Sequence, residues 1–130
     1  MGQQQLLIIA LATIIVGMAV YGGLRVMEAN RQSSERDLII QQMNALLADA
    51  KQYALKPRSL GGGEGSFEGF VPMEIQSNTE RVNIFTTVGS DWILFQGFGS
   101  VEGSDRENSV QVVAQYSEAQ GKWESMTTVN

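Results

Sequence analysis

The order of hydrophobic and polar positions divides the chain into three parts, and the first part is apolar throughout. Residues 6–24 read LLIIALATIIVGMAVYGGL and contain no charged side chain. Because a helix rises about 1.5 Å per residue, these 19 residues would span roughly the 30 Å hydrocarbon core of a bilayer. Core helices of small soluble domains are rarely apolar on all sides for this length. The pattern predicts a transmembrane helix over residues 1–27.

Other interpretations of this first part fit less well. A cleaved signal peptide would start with a basic region, and residues 1–5 contain neither Lys nor Arg. The apolar run is also longer than the usual core of a signal peptide, and no small-x-small motif follows it. The opening Met1-Gly2 suggests N-myristoylation, but Leu6 stands where that motif requires Ser or Thr. We therefore expect the segment to be retained in the mature protein.

The second part, residues 28–57, is predicted to continue the helix with one apolar face. Its hydrophobic positions recur at spacings of four, three, four and three, the helical period. Pro57 ends the pattern, since proline disfavours helical geometry in the residue before it. We expect this face to pack against the rest of the domain. Its residues are Ile39, Met43, Leu46, Ala50 and Tyr53.

A glycine-rich loop is predicted over residues 58–69. Five glycines lie between Gly61 and Gly69, which raises the possibility of phosphate binding. No Gly-x-Gly-x-x-Gly spacing occurs, no Gly-Lys-Ser/Thr follows, and the loop leaves a helix instead of opening one. These features favour a connector that needs positive φ and close backbone approach. We expect Phe67 and Phe70 to hold it to the domain.

The third part, residues 70–130, has the alternation of β-strands and no intervening helical pattern. We expect four antiparallel strands, with a fifth if Val71–Ile75 pairs at an edge, where Pro72 would be tolerated. The predicted connections are a two-residue turn at Gly89-Ser90, a polar loop over Gly99–Asn108, and a polar turn over Glu118–Gly121. The strand positions are Val82–Val88, Trp92–Phe98, Val110–Tyr116 and Trp123–Val129.

These parts together predict an α+β fold. A four-stranded sheet must bury one of its faces against another element. The apolar stripe of the helix from Ile39 to Tyr53 is the available partner. The front half of the helix is then left bare. The predicted architecture is a long N-terminal helix, with an exposed hydrophobic half and a packed amphipathic half, on a four- to five-stranded antiparallel sheet.

Composition narrows the function. The chain has no Cys, no His and a net charge of −5, so it lacks the usual nucleophile–base pairs and the commonest metal ligands. Its dispersed basic residues argue against nucleic acid. Neighbouring carboxylates, such as Glu35 with Asp37, lie in polar stretches and are expected to be solvated. We expect no catalytic, metal or cofactor site. Residues 102–108 lack the ligand spacing of a calcium loop, and Trp92 and Trp123 are expected to be packing residues.

The organisation of the whole chain resembles that of type IV pilins and pseudopilins: an apolar N-terminal segment, an amphipathic continuation, a loop and an antiparallel sheet. Two family features are not found. Family precursors have a basic leader that ends in Gly, and Gly2 and Gln3 are the candidate processing site here. The family also has Glu at the fifth mature position, where this chain has Leu7, or Gln5 if counted from Met1. In the family, this Glu is thought to neutralise the N-terminal amine of a neighbouring subunit. Here, either the amides of Gln3–Gln5 hydrogen-bond the terminal amine, or the amine stays near solvent.

This resemblance implies a structural subunit that polymerises through its apolar helix into an extracellular filament. Its implied partners are other copies of itself, the membrane before assembly, and pilus-type assembly machinery. Gly17, Gly22 and Gly23 are candidate positions for local helix melting, since two adjacent glycines cost about 2 kcal/mol of helix propensity. The predicted membrane and filament-core residues are Leu6, Leu7, Ile8, Ile9, Leu11, Ile14, Ile15, Val16, Met18, Val20 and Leu24.

Two questions stay open at this level. Arg25 and Arg31 follow the apolar segment and nothing basic precedes it, so the positive-inside rule would place the C-terminus inside. The resemblance instead implies an external C-terminal domain. The alternative function is a bitopic membrane-anchored binding or assembly module, similar to a minor pseudopilin, that forms no filament itself.

Overall fold

The computed structural model describes residues 2–129 and has an α+β fold, as the sequence predicts. Helix α1 runs over Gly2–Leu55 and a short helix α2 over Glu74–Ser77. Four strands follow: β1 (Val82–Val88), β2 (Trp92–Glu102), β3 (Ser109–Ser117) and β4 (Lys122–Thr128). They form one antiparallel sheet in the order β1-β2-β3-β4. The chain divides after Arg31 into two compact units.

The core of the second unit lies between residues 32–55 of α1 and one face of the sheet. Ile39, Met43, Leu46 and Ala50 are completely buried, and Tyr53 is partly buried. The strands contribute alternating positions to the same core, as the period of two requires. Those side chains are Val82, Ile84, Ile93, Phe95, Val110, Val112, Ala114 and Tyr116.

Helix and sheet approach each other closely at Gly97 in the middle of β2. A Cβ atom there would clash with the side chain of Ile39 and lie 2.9 Å from Cε of Met43. Glycine at this position therefore allows the apolar face of α1 to lie directly on the sheet. Phe95, two residues earlier on the same face, is completely buried and fills the space beside it.

The glycine-rich loop folds back and caps the C-terminal end of α1. Backbone N–H groups of Gly63, Glu64 and Gly65 donate to the carbonyl oxygens of Tyr53, Lys56 and Ala54 at 2.9, 3.0 and 2.7 Å. These are carbonyls that the end of a helix leaves without partners. Positive φ angles at Gly61, Gly65 and Gly69 give the chain the turns it needs.

The sheet has four strands within residues 2–129, the smaller of the two predicted numbers, because segment 71–75 leads into α2 and forms no strand. Two expectations about the connections are wrong in detail. The first hairpin turns one residue later than Gly89-Ser90, with the Gly89 N–H donating to the carbonyl oxygen of Trp92 at 2.8 Å. Strand β2 continues to Glu102, past a register shift that follows Phe98, so the polar loop covers only residues 103–108.

We predict that Gly97→Ala lowers the free energy of unfolding of the second unit by about 1–3 kcal/mol, because the added methyl group overpacks the contact with Ile39. Urea unfolding of the full chain in detergent, followed by fluorescence of Trp92 and Trp123, measures this. Gln41→Ala on the exposed side of α1 is the control and should change stability by less than about 0.5 kcal/mol. Equal stability of Gly97→Ala and wild type would show that helix and sheet are not in this close contact.

Candidate membrane and assembly segment

The first unit, residues 2–31, is a helical segment whose apolar side chains are uncovered. By length and composition, α1 is able to cross a membrane, and its apolar window is not buried within the chain. All eleven residues predicted for the membrane or filament core are between 55% and 71% exposed. Such a continuous apolar surface is far larger than soluble monomers usually expose, and it is compatible with anchoring in a membrane.

The small residues of this segment leave room for close approach. A Cβ atom on Gly17, Gly22 or Gly23 would meet no neighbouring atom within 4 Å, so no side chain in the described part of the chain uses that space. The helix is continuous through all three positions. Local melting at these glycines stays a prediction.

Polar groups inside the segment are satisfied locally. The Thr13 hydroxyl donates to the carbonyl oxygen of Ile9 at 2.8 Å, so it can lie in an apolar environment without an unpaired donor. At the far end, the guanidinium of Arg25 donates to the hydroxyl of Tyr21 from Nη2 at 2.6 Å and from Nε at 3.1 Å. Gly2 and Gln3, the candidate processing site, lie in the first turn of α1.

Glu35 connects α1 to β2 in the second unit by hydrogen bonds. The expectation that its carboxylate is solvated is wrong. Its side chain is completely buried. Oε1 accepts hydrogen bonds from the backbone N–H and the hydroxyl of Ser100 at 2.7 and 2.8 Å, and Oε2 accepts one from the N–H of Val101 at 3.1 Å. These donors belong to the irregular stretch of β2 between Phe98 and Glu102.

The geometry around Glu35 explains two further features of the sequence. Gly99 has no side chain, and a Cβ atom there would lie 2.9 Å from Cγ of Glu35. One turn before Glu35, the Gln32 side-chain amide donates to the carbonyl oxygen of Glu102 at 3.0 Å. Gln32 and Glu35 therefore fix the end of β2 to α1 at the first residues of the second unit.

A sequence signal for Glu35 was available. It precedes Ile39 by four residues, so it continues the buried stripe by one helical turn. Because Glu35 is charged, an exposed position was the ordinary expectation, since carboxylates are rarely buried without a partner. Only the three-dimensional structure shows that β2 supplies backbone donors at this position.

The remaining candidates for chemistry have structural roles. The N–H groups of the glycine-rich loop that cap α1 are already used and cannot cradle a phosphate. Within residues 2–129, no group of three or more acidic residues is placed to hold a metal ion. Trp123 packs edge-on against Phe95 and Tyr116, and Trp92 lies against Gly89.

The polar loop after β2 is organised by Asp105. Its carboxylate accepts hydrogen bonds from the side chain and backbone of Asn108 at 2.9 and 3.2 Å, and from the backbone N–H of Glu107 at 3.2 Å. The side-chain bond from Asn108 is the main cause that lowers the pKa of Asp105. Since the folded-state pKa is depressed, this contribution to loop stability is present at neutral pH and is lost as the pH falls through that pKa. The carboxylate oxygens of Asp105 therefore accept hydrogen bonds within the loop.

We predict that Glu35→Ala lowers the free energy of unfolding by about 3 kcal/mol, because buried donors of Ser100 and Val101 lose their acceptor. The same fluorescence-detected urea unfolding measures it. Asp37→Ala, an exposed acidic neighbour on α1, is the matched control and should remain within about 0.5 kcal/mol of wild type. Equal effects of the two substitutions would contradict the role assigned to Glu35.

The long helix on a four-stranded antiparallel sheet is consistent with a pilin-like architecture. No protein-family model matches the chain, and neither a curated protein nor a solved structure was found to match it.

Proposed function

We propose that this protein is a structural subunit that polymerises through its N-terminal apolar helix into a filament of the type IV pilus kind. One observation carries the proposal: residues 6–24 are apolar on every side, and their side chains have no covering partner within the described chain. Before assembly the bilayer covers this surface, and after assembly other copies of the same helix cover it.

The energetics favour a stable polymer. Full burial of a Leu, Ile, Val or Met side chain contributes about 1.5–3 kcal/mol, and eleven such residues in the segment are more than half exposed. Their burial between copies would contribute roughly 20 kcal/mol per subunit before the entropy of association is subtracted. A contact that is heterologous and does not close into a ring extends without limit, which gives a filament.

Small residues support helix-to-helix contact as the mode of assembly. Thr13 with Gly17, and Ala19 with Gly23, are pairs of small residues four apart, a spacing that lets helices approach closely in apolar surroundings. The space around the glycines is open. Melting at Gly22 and Gly23 would let the helix adjust its length during assembly.

The subunit is proposed to reside in the cytoplasmic membrane first and at the cell surface after assembly. The resemblance to pilins supports an external C-terminal domain, against the weak inside preference of Arg25 and Arg31. It also supports pilus-type machinery as the agent that removes the subunit from the bilayer, and no cofactor is needed for this role.

A bitopic membrane anchor is the second candidate. It is favoured by the match between the 19 uncharged residues and the thickness of a bilayer core, roughly 30 Å. In this case the helix stays in lipid and the second unit acts as a binding or assembly module. A filament subunit would dominate the material sheared from cells, whereas an anchor would stay in the membrane pellet.

We predict that Ile15→Asp abolishes filaments, because a carboxylate at the centre of the apolar segment would be buried between helices without a partner. The protein should still enter the membrane, since one Asp at the centre of a spanning helix costs only about 3 kcal/mol on insertion scales. Electron microscopy of the sheared fraction and immunoblotting of the membrane pellet measure the two properties separately.

The control for this experiment is Asp105→Asn, which removes a negative charge in the exposed loop after β2 and should leave filament yield unchanged. Normal filaments from Ile15→Asp would show that the apolar segment is not the polymer interface. Loss of both filaments and membrane-bound protein would point to failed insertion, and Ile15→Ser would then repeat the test without a charge.

A further inference from the structure

Tyr21 and Arg25 form a side-chain pair at the end of the apolar segment. Two hydrogen bonds join the guanidinium to the tyrosine hydroxyl, and Cζ of Arg25 lies 5.2 Å from the centroid of the ring. Both side chains are exposed. Guanidinium has five N–H donors, so these two bonds leave three for another acceptor.

The position of the pair matches the edge of a bilayer. Gln5 is the last polar residue before the uncharged run and Arg25 is the first charged residue after it. At about 1.5 Å per residue, the 20 residues of separation place them roughly 30 Å apart, the thickness of the hydrocarbon core. Tyrosine is enriched at this level of a membrane because its ring is apolar and its hydroxyl polar.

The direction of the side chains decides which lipid group they meet. Helical side chains lean towards the N-terminus, so the guanidinium of Arg25 lies over the preceding turn, on the bilayer side of its own backbone. When the edge of the hydrocarbon core lies at the level of this guanidinium, the headgroup phosphates lie directly beside it, and the planar fork of N–H groups on Arg fits two phosphate oxygens. Glu28 attracts the same cation from the next turn outward.

We propose that Tyr21 and Arg25 bind the phosphate of a phospholipid headgroup, and that this contact fixes the depth of the helix in the bilayer. The inference rests on the proposed membrane-inserted state. We assign the phosphate site to both residues because the Tyr21 hydroxyl orients the guanidinium of Arg25. The other N–H groups of the guanidinium then stay open to the phosphate. Arg31 lies six residues further on, about 9 Å beyond Arg25 along the helix.

The depth of the helix can be measured directly, because the chain has no cysteine and accepts single labelled positions. Spin labels on cysteines at Ala12, Ala19, Val26 and Ala29 would report access to oxygen and to a polar nickel chelate in phosphatidylcholine vesicles. We expect Ala12 to be protected from the chelate and Ala29 to be accessible, with the boundary between Ala19 and Val26.

Removing the cation should move this boundary. With Arg25→Gln, the uncharged run extends to Met27, and we expect the boundary to shift by about one helical turn, roughly 5 Å, towards the C-terminus. Arg31→Gln makes the same change of charge and should leave the boundary in place. In galactolipid vesicles, which have no phosphate, the wild-type boundary should lie where it lies for Arg25→Gln in phosphatidylcholine.

The possible outcomes separate this site from the proposed function. Access of the chelate to Ala12 in wild type would overturn membrane insertion itself. Protection of Ala12, with a boundary that Arg25→Gln does not move, would overturn only the role of the Tyr21–Arg25 pair. A boundary that responds to Arg25→Gln but is the same in galactolipid and phospholipid would overturn phosphate as the ligand.

Discussion

The removal of apolar helix surface from water is the constraint on which both units of this chain depend. In the second unit, the sheet covers the stripe that begins at Ile39, and the fit is close enough that β2 needs glycine at position 97. In the first unit, residues 6–24 are apolar on all sides, and no element within residues 2–129 covers them. The same physical force that closes the domain is the basis of our proposal that lipid or other copies cover the first unit.

Polar contacts define where the covered part of the helix begins. Gln32 and Glu35 bind the irregular end of β2, and these bonds stand at the first residues of the second unit. A buried carboxylate is stable only when its oxygens have donors, so this contact specifies one register of helix on sheet. Apolar packing alone tolerates small shifts, whereas three hydrogen bonds to one carboxylate do not.

The sequence predicts the helix, the four strands and the apolar stripe because each has a strong period of its own. The length of the uncharged run and the alternation within β1 and β3 need no tertiary information. Position-specific features were harder to predict. The burial of Glu35 depends on donors 65 residues away, and β2 extends to Glu102 through its pairing with Ser109 of β3, past an irregularity in the register. The short helix α2 was missed because a four-residue element is too short to show a helical period.

The uncovered apolar segment of α1, residues 6–24, is the feature of this structure that supports a proposal about function. Residues 103–108 form a loop held together by its own side chains, and the glycine-rich loop caps a helix, so neither competes as a ligand site. A chain with one uncovered apolar helix and a small acidic domain suits assembly or anchoring, and both depend on what covers residues 6–24.

Cells expressing the protein should release thin filaments on shearing, and electron microscopy with helical reconstruction would test the central claim most directly. We expect filaments composed mainly of this chain, with residues 6–24 of each copy buried against other copies in the filament core. Absence of filaments, with the protein confined to the membrane pellet, would contradict polymerisation and favour the bitopic anchor.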